Sequence, residues 1–353
     1  MKKRFLTIIA AAALSISAVL GFGGCGRGGT IHIYVPDGPP LLAAARLFSE
    51  RPEVEYEGGT RNVSYNLTTG QLIGSRLAGR FPDFALAPIN LAVQNFNLNG
   101  DYIFGGVALW GMLHIVENTA LSGDSPATSL GDLRGQVIYA YQPLMSPGIV
   151  LRTVLEGKEL DVVERTVGGA VDPNAVNITY LTDNAAARAA LMGEIAAVGN
   201  ARFALVADPV VSALIGMPAT SERNFEIAFD MQDEWENIFG FNFPQVAIMV
   251  RERFARRNPA LTAAVLNMIA GSIDYTRNNA GEAARIATDE INSAYLPPRQ
   301  VVTNFINGRG QEVFNFMSAS DSRTAVTSFL QTLYNTSPAF IGGRMPVEGF
   351  FLS

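Results

Sequence analysis

Four short polar turns hold the residues of this sequence that could bind a small molecule. They are Pro36-Asp37-Gly38-Pro39, Pro88-Ile89-Asn90, Leu144-Met145-Ser146-Pro147-Gly148 and Asp208-Pro209. Each follows an apolar run and precedes a helix-like stretch, where glycine permits close backbone approach and the first N–H groups of the helix are free donors. The same residues can simply cap turns and helices, as Asp37 and Ser146 could. Capping is the simpler explanation for any single turn, but four turns together favour a binding cleft.

The sequence has few of the cysteine and histidine residues on which most catalytic and metal sites depend. The sequence contains one cysteine, Cys25, and two histidines, His32 and His114, and each histidine lies inside an apolar strand-like run. A packed or strand-edge imidazole is the expected role of both, because a histidine triad or a zinc site needs further partners. No glycine-rich nucleotide motif follows a strand. We therefore predict no catalytic residue, no cofactor and no metal.

The N-terminus has the pattern of a secretory leader. A basic Met-Lys-Lys-Arg precedes an uncharged run over 5–22, which is followed by Gly23-Gly24-Cys25. A cysteine at this place resembles the lipobox of bacterial lipoproteins, so we predict a signal peptide over 1–24, acylation of Cys25 and a tether over 25–29. An uncleaved anchor and a buried cysteine are the alternatives, and both also place the rest outside the cytoplasm. Loss of the leader changes the net charge from −6 to −9, which gives no support to nucleic-acid binding.

The remaining chain alternates apolar runs with helical stretches, as in βαβ units. It is longer than the chains that usually fold around one hydrophobic core, so two lobes are expected. Strands are predicted over 31–35, 54–56, 83–87, 136–141, 177–181, 203–207 and 245–250, with two more between 102 and 116. Helices are predicted over 41–50, 68–78, 147–156, 184–192 and 210–214, and the remainder after 258 is predicted to be mainly helical. The polar composition of 122–132 predicts a lobe boundary there.

Several blocks of the sequence resemble, in order and spacing, the solute-binding proteins of ABC importers. These blocks are VPDGPPLLAAARLF, FPDFALAPIN, GVALWGMLHIV, SLGDLRGQVIYAY with SPGIVLRTVLE, FALVADPVVSALI and FPQVAIMVRERFARRNPALTAAVLNMI. They are similar in particular to the nitrate, sulfonate and thiamine-precursor branch, although Asp208-Pro209 stands where that branch usually has Glu-Pro. The resemblance covers nearly the whole chain after the leader.

The resemblance implies an α/β, two-lobed type 2 periplasmic binding fold, each lobe a mixed, mostly parallel sheet flanked by helices. We place the first lobe at 30–118 and 244–353 and the second at 119–243. It further implies an extracytoplasmic, lipid-anchored monomer that delivers a small molecule to an ABC permease and its ATPase, and that is not an enzyme. The predicted ligand-binding residues are Asp37, Gly38, Asn90, Trp110, Tyr141, Ser146, Gly148 and Asp208.

The chemistry of the four turns indicates what is bound. They contain no Lys or Arg, and Asp37 and Asp208 would repel a sulfonate or nitrate. Acidic acceptors near Trp110, Tyr141 and Met145 suit a neutral or cationic heterocycle, such as an aminopyrimidine, and core packing is an alternative role for Trp110. Two other functions stay open: an enzyme on the same fold, of the menaquinone or thiamine-precursor biosynthesis type, and a membrane-tethered ligand sensor.

Overall fold

The computed structural model of the chain describes residues 29–353. The predicted leader and Cys25 lie outside the described residues. The strands, in chain order, are β1 (Ile31–Pro36), β2 (Val54–Tyr56), β3 (Gly59–Arg61), β4 (Val63–Thr68), β5 (Phe84–Pro88), β6 (Tyr102–Trp110), β7 (Leu113–Asn118), β8 (Val137–Tyr141), β9 (Val162–Glu164), β10 (Val176–Leu181), β11 (Phe203–Ala207), β12 (Phe225–Asp230), β13 (Pro244–Arg251) and β14 (Met317–Ser318).

Helices occupy most of the chain between these strands. They are α1 (Pro39–Ala43), α2 (Ala45–Glu50), α3 (Ile73–Ala78), α4 (Ile89–Asn99), α5 (Ser146–Gly157), α6 (Asn184–Leu191), α7 (Val210–Ile215), α8 (Met231–Phe239), α9 (Glu252–Arg257), α10 (Pro259–Asn278), α11 (Ala280–Arg285), α12 (Arg299–Asn307), α13 (Gly310–Val313) and α14 (Arg323–Thr336). Short 3-10 or π turns lie at Thr119–Leu121, Leu130–Leu133, Ile286–Glu290, Pro338–Ile341 and Glu348–Phe350. None of the helices described in 29–353 is long and apolar enough to cross a membrane.

Two six-stranded sheets organise the molecule. The first has the order β14-β6-β13-β5-β1-β4 and the second the order β12-β7-β11-β8-β10-β9. In the first sheet β1 runs parallel to β4 and β5, and β13 is antiparallel to its neighbours. In the second, β8, β9, β10 and β11 are mutually parallel and β7 is antiparallel to β11 and β12. We call each sheet with its helices a lobe, and the predicted α/β class is confirmed.

The strand sequences explain where the core lies. In β1 the side chains of Ile31, Ile33 and Val35 are buried while His32 between them is exposed, so alternation directs one face to the core. In β6 all nine residues are buried. Such a continuous apolar run suits a strand that is covered on both faces. Helices therefore pack on both sides of the sheet, and its strand ends remain available to form a site.

The chain crosses between the lobes earlier than the sequence predicts. The segment 113–118, assigned to the first lobe, is strand β7 and pairs with β11 and β12 of the second sheet. The first crossing is therefore 111–112, and the return lies at 240–243, before β13. A hydrogen bond from the Met112 N–H to Gln245 Oε1 (3.1 Å) joins the first crossing to the start of β13, directly after the return. The sequence does not reveal this crossing, because apolar residues continue from β6 through 111–112 into β7.

Other differences from the predicted elements are local. The helix predicted over 41–50 is divided at Ala44, and 68–78 is helical only from Ile73. The polar segment 58–66, for which the sequence predicts no strand, forms β3 and most of β4. Strand β4 lies at the edge of the first sheet, where one polar face is tolerated because it meets solvent.

The C-terminal helix α14 belongs to both lobes. It follows β14 of the first sheet, yet Phe329 packs against Trp235 of α8 in the second lobe, with ring centroids 5.1 Å apart. Phe243, in the return crossing, contacts both rings at 5.4 Å and 6.1 Å. The segment 244–353, which the sequence assigned entirely to the first lobe, thus reaches across the crossing region.

Candidate functional site

A cavity of about 580 Å³ lies between the two sheets. It is bordered by residues at or just after the carboxyl ends of β1, β4, β5, β8, β10 and β11, that is, by strand ends from both sheets. Ligands of open α/β sheets bind at these ends, and the volume is that of a small-molecule site. Met112 of the first crossing and Gln245 at the start of β13 line the cavity, so its base lies beside the place where the lobes are joined.

Four of the predicted ligand-binding residues border this cavity and four do not. Asp37, Gly38, Tyr141 and Ser146 are part of its wall. Asn90, Trp110, Gly148 and Asp208 are absent from the wall, and each has another structural role. Three of the four turns therefore contribute residues to the wall, whereas the Asp208-Pro209 turn contributes none, and ligand binding at this wall stays a prediction.

Asp37 holds the loop that covers one side of the cavity. Its Oδ1 accepts hydrogen bonds from the Gly38 N–H (2.7 Å) and the Ser293 hydroxyl (2.5 Å), and Oδ2 accepts one from the Ala294 N–H (3.2 Å). Residues 294–298 line the cavity beside it. Gly38 has a φ of 101°, which favours glycine at this turn. The carboxylate therefore both borders the cavity and ties two segments of the first lobe together.

Tyr141 and Ser146 come from the second lobe. Burial raises the pKa of the Tyr141 hydroxyl, and the nearby Asp183 charge adds to the effect, so the phenol stays neutral. Ser146 is the first residue of α5, and its hydroxyl donates to Asn90 Oδ1 at 3.3 Å. A neutral hydroxyl and a helix start are donors at this side of the cavity.

Asn90 connects the lobes. It lies in the first turn of α4 in the first lobe and is fully buried. Its Nδ2 donates to the Leu144 carbonyl (3.0 Å), and its Oδ1 accepts from the Ser146 hydroxyl. Two of the four predicted turns therefore meet directly, as a contact between the lobes.

Gly148 and Trp110 have packing roles. A Cβ atom at Gly148 would lie 2.6 Å from Pro143 Cα and 2.7 Å from the Gln142 carbonyl oxygen, so α5 and the preceding turn need glycine there. The Trp110 indole N–H donates to the Asn315 carbonyl at 2.8 Å. The predicted stacking of a ligand on Trp110 thus has no place in the 580 Å³ cavity.

Asp208 is committed to a buried charge cluster. Its side chain is fully buried, and it accepts from Arg309 through Nε (2.7 Å) and Nη2 (2.9 Å), from His114 Nε2 (3.1 Å) and from the Ser212 hydroxyl (2.7 Å). Burial opposes its ionisation, but the bonds from His114 and Arg309 hold its pKa well below the usual range. The predicted repulsion of an anionic ligand by Asp208 is wrong as an electrostatic argument, because Arg309 neutralises this carboxylate.

His114 is buried as predicted, and two carboxylates face its ring. Its Nδ1 lies 3.3 Å from Asp230 Oδ2, on the side opposite Asp208. Burial acts to lower its pKa, yet pairing with Asp208 and Asp230 outweighs this and raises the pKa to about 9. A cavity of about 60 Å³ lies beside the cluster, bordered also by Gln232 and Glu312. Within 29–353, no group of His, Cys, Asp and Glu side chains could hold a metal ion.

The cavity wall contains a cation that the four turns do not show. Arg188 of α6 borders it, and its Nη1 lies 3.4 Å from Glu194 Oε2. Asn184 and Arg188 are four residues apart on one helix, so both face the same way. Because the sequence predicts this helix, the four-residue spacing from Asn184 could have been used to predict Arg188 in the cavity wall.

Amide side chains supply most of the remaining polar groups of the wall. Gln71, Gln142 and Gln245 border the cavity. Because Gln245 Oε1 accepts from the Met112 N–H, its amide NH₂ is the end available to a ligand. Asp183 uses Oδ1 to cap α6 through the Ala186 N–H (2.9 Å). Prolines, alanines and other apolar residues make up most of the wall, so the site suits a largely apolar molecule.

Comparison with known proteins identifies the fold. No family model matches the sequence, and no curated protein is similar to it. Among solved structures, an ABC transporter protein from Parabacteroides distasonis superposes with a TM-score of 0.67 at 19% identity, covering 92% of this chain and 99% of its own. The periplasmic aliphatic sulphonate binding protein SsuA of Escherichia coli gives 0.62 at 17%, covering 92% and 94%. SsuA of Xanthomonas axonopodis pv. citri, bound to MOPS, gives 0.56 at 14%, covering 91% and 96%. The chain thus has the two-lobed fold of periplasmic binding proteins.

Proposed function

We propose that this chain is an extracytoplasmic solute-binding protein that delivers a small molecule to an ABC importer. The observation that carries the proposal is the cavity between the carboxyl ends of strands from two sheets, with contacts between the lobes at Asn90 and at Asp208. Closure of two lobes around a ligand is a general way to trap it. The neighbours named as transporter or periplasmic sulphonate-binding proteins support the same assignment.

The proposed ligand is a small, largely apolar heterocycle that carries neutral polar groups, such as an aminopyrimidine. Carboxylates of Asp37 and Asp183 border the cavity and accept N–H donors, while the Gln245 amide offers a donor. The aromatic rings of the wall are Tyr141 and Tyr295, so they replace Trp110 as surfaces for stacking. Proline and alanine supply the apolar contacts.

An alkyl sulfonate is the second candidate, because Arg188 places a guanidinium in the wall and two structural neighbours are sulfonate-binding proteins by name. Helix starts at α5 and α6 add N–H donors on the same side. Asp208 no longer argues against this ligand, since Arg309 and His114 neutralise it.

Calorimetric titration of the purified full chain separates the two candidates. An aminopyrimidine precursor of thiamine is titrated in parallel with butanesulfonate, into wild type and Arg188→Gln. If the ligand is the heterocycle, its affinity should be nearly the same in Arg188→Gln as in wild type. If it is a sulfonate, its affinity should fall about tenfold or more, since a charged hydrogen bond is worth about 1.5–3 kcal/mol. Sulfonate binding without any response to the pyrimidine would reject our preferred ligand.

Recovery of the bound compound tests the class of protein. An enzyme on this fold would return a changed molecule, whereas a binding protein releases it unaltered. Transport is distinguished from sensing by uptake of the labelled compound in cells with and without the chain. The lipid anchor is proposed separately, and incorporation of labelled fatty acid that is lost in Cys25→Ser tests it.

A further inference from the structure

The two lobes share a partly buried ion pair outside the ligand cavity, between Arg309 and Asp208. Arg309 lies between α12 and α13. Helix α12 packs mainly on α11 of the first lobe and also contacts α7 of the second, and α13 packs on β6 of the first lobe. Asp208 directly follows β11 of the second lobe. Arg309 donates two bonds to the carboxylate and a third to the Ser212 hydroxyl (2.9 Å), a fork that a guanidinium forms with little loss of freedom. Arg309 does not border the 580 Å³ cavity.

The charges of the second lobe are incomplete without this contact. His114 lies between Asp208 and Asp230, so two carboxylates share one imidazolium and the set carries a net charge of −1. Arg309 brings the sum to zero. Asp233 and Glu312 also border the adjacent small cavity and add negative charge nearby. Separation of the lobes at this point would leave Asp208, whose side chain is 0% exposed, without the two hydrogen bonds that Arg309 donates to it.

We propose that Arg309 is a positioning residue for lobe closure: its ion pair with Asp208 favours the closed arrangement and thereby sets ligand affinity from outside the cavity. The proposal rests on the proposed solute-binding function for its effect on affinity, but the geometry of the lobes can be measured without any ligand. Because the guanidinium and the carboxylate belong to different lobes, a lobe movement that separates them breaks these bonds, and their free energy then adds to the arrangement in which the lobes are together.

Small-angle scattering tests the closure step. The full chain carrying Cys25→Ser, which prevents acylation, is compared with the same chain carrying Arg309→Gln, both without added ligand. The expected result is a larger radius of gyration for Arg309→Gln and partial recovery with Arg309→Lys, which keeps the charge but loses the fork. The control is Arg299→Gln, which removes an ion pair with Asp289 (3.0 Å) within the first lobe and should leave the radius unchanged.

An unchanged radius in Arg309→Gln would overturn the proposal, as would equal expansion in the control. If circular dichroism shows that Arg309→Gln is unfolded, Ser212→Ala replaces it, because that change removes one acceptor of the Arg309 guanidinium and keeps the charges. It is expected to expand the molecule in the same direction, and no expansion would reject the idea. Failure to find a ligand would argue against the proposed function. It would not affect the scattering comparison, which is made without ligand.

Discussion

Asn90 of the first lobe and Ser146 of the second meet through a hydrogen bond of 3.3 Å at the edge of the cavity. Both side chains are buried, and the same Asn90 amide also donates to the Leu144 carbonyl. One short side chain thus satisfies two groups of the opposite lobe, so the turn after β5 and the turn after β8 are held together when the cavity is enclosed.

Removal of this contact should destabilise the enclosed form. Asn90→Ala deletes both bonds and leaves the Leu144 carbonyl and the Ser146 hydroxyl without a partner there, which costs about 1–3 kcal/mol. We expect a lower midpoint of urea unfolding, with Asn99→Ala at the exposed end of α4 as a control that changes little. Equal midpoints for Asn90→Ala and the wild type would show that the contact contributes nothing.

Asp37→Ala should weaken ligand binding without unfolding the protein. The same change removes the acceptor of Ser293 and Ala294, so the covering loop should lose its attachment. Hydrogen exchange over 293–298 should accelerate, and Asp37→Asn, which retains an acceptor, should show a smaller effect. A sharp fall in melting temperature with intact affinity would instead identify Asp37 as a capping residue only.

Stability should fall as the medium becomes alkaline, because of His114. Its pKa is 6.5 in an ordinary setting and about 9 in the fold, so its contribution is complete below about pH 6.5 and is lost as pH rises through 9. The loss should be roughly 3 kcal/mol, because each tenfold change in proton affinity between the folded and unfolded chain corresponds to about 1.4 kcal/mol. Urea unfolding between pH 6 and pH 10 should show a steeper decline for wild type than for His114→Gln. Parallel curves would mean that the imidazole is not charged in the fold.

Gly148 should not tolerate a side chain. An alanine Cβ would meet backbone atoms of Pro143 and Gln142 at 2.6–2.7 Å, so Gly148→Ala should cost about 1–3 kcal/mol of unfolding free energy. Gly271→Ala is the matched control, since a Cβ there meets nothing within 4 Å and alanine favours the middle of α10 by up to about 1 kcal/mol. Opposite shifts in melting temperature are expected, and a stabilising Gly148→Ala would contradict the packing described.

Local pattern determined much of the fold. The alternation in 31–35, the apolar run in 102–110 and the proline starts of α1, α5 and α10 are properties of short segments, and the structure has the corresponding elements. The turns of Asp37, Asn90 and Ser146 were also correctly expected to converge, because strands of parallel sheets end at a common edge.

What the sequence by itself could not determine was which partner each polar side chain would find. Asp208 and Arg309 are 101 residues apart, so the charge of Asp208 was counted without the guanidinium that neutralises it. Likewise, Trp110 was assigned to a ligand although its indole N–H is taken by Asn315, 205 residues later. Periodicity specifies the side of a strand or helix on which a residue lies. Only the tertiary structure decides which group lies opposite each polar side chain. Electrostatic and hydrogen-bonding energies depend on the distance between the two groups, which is only a few ångströms.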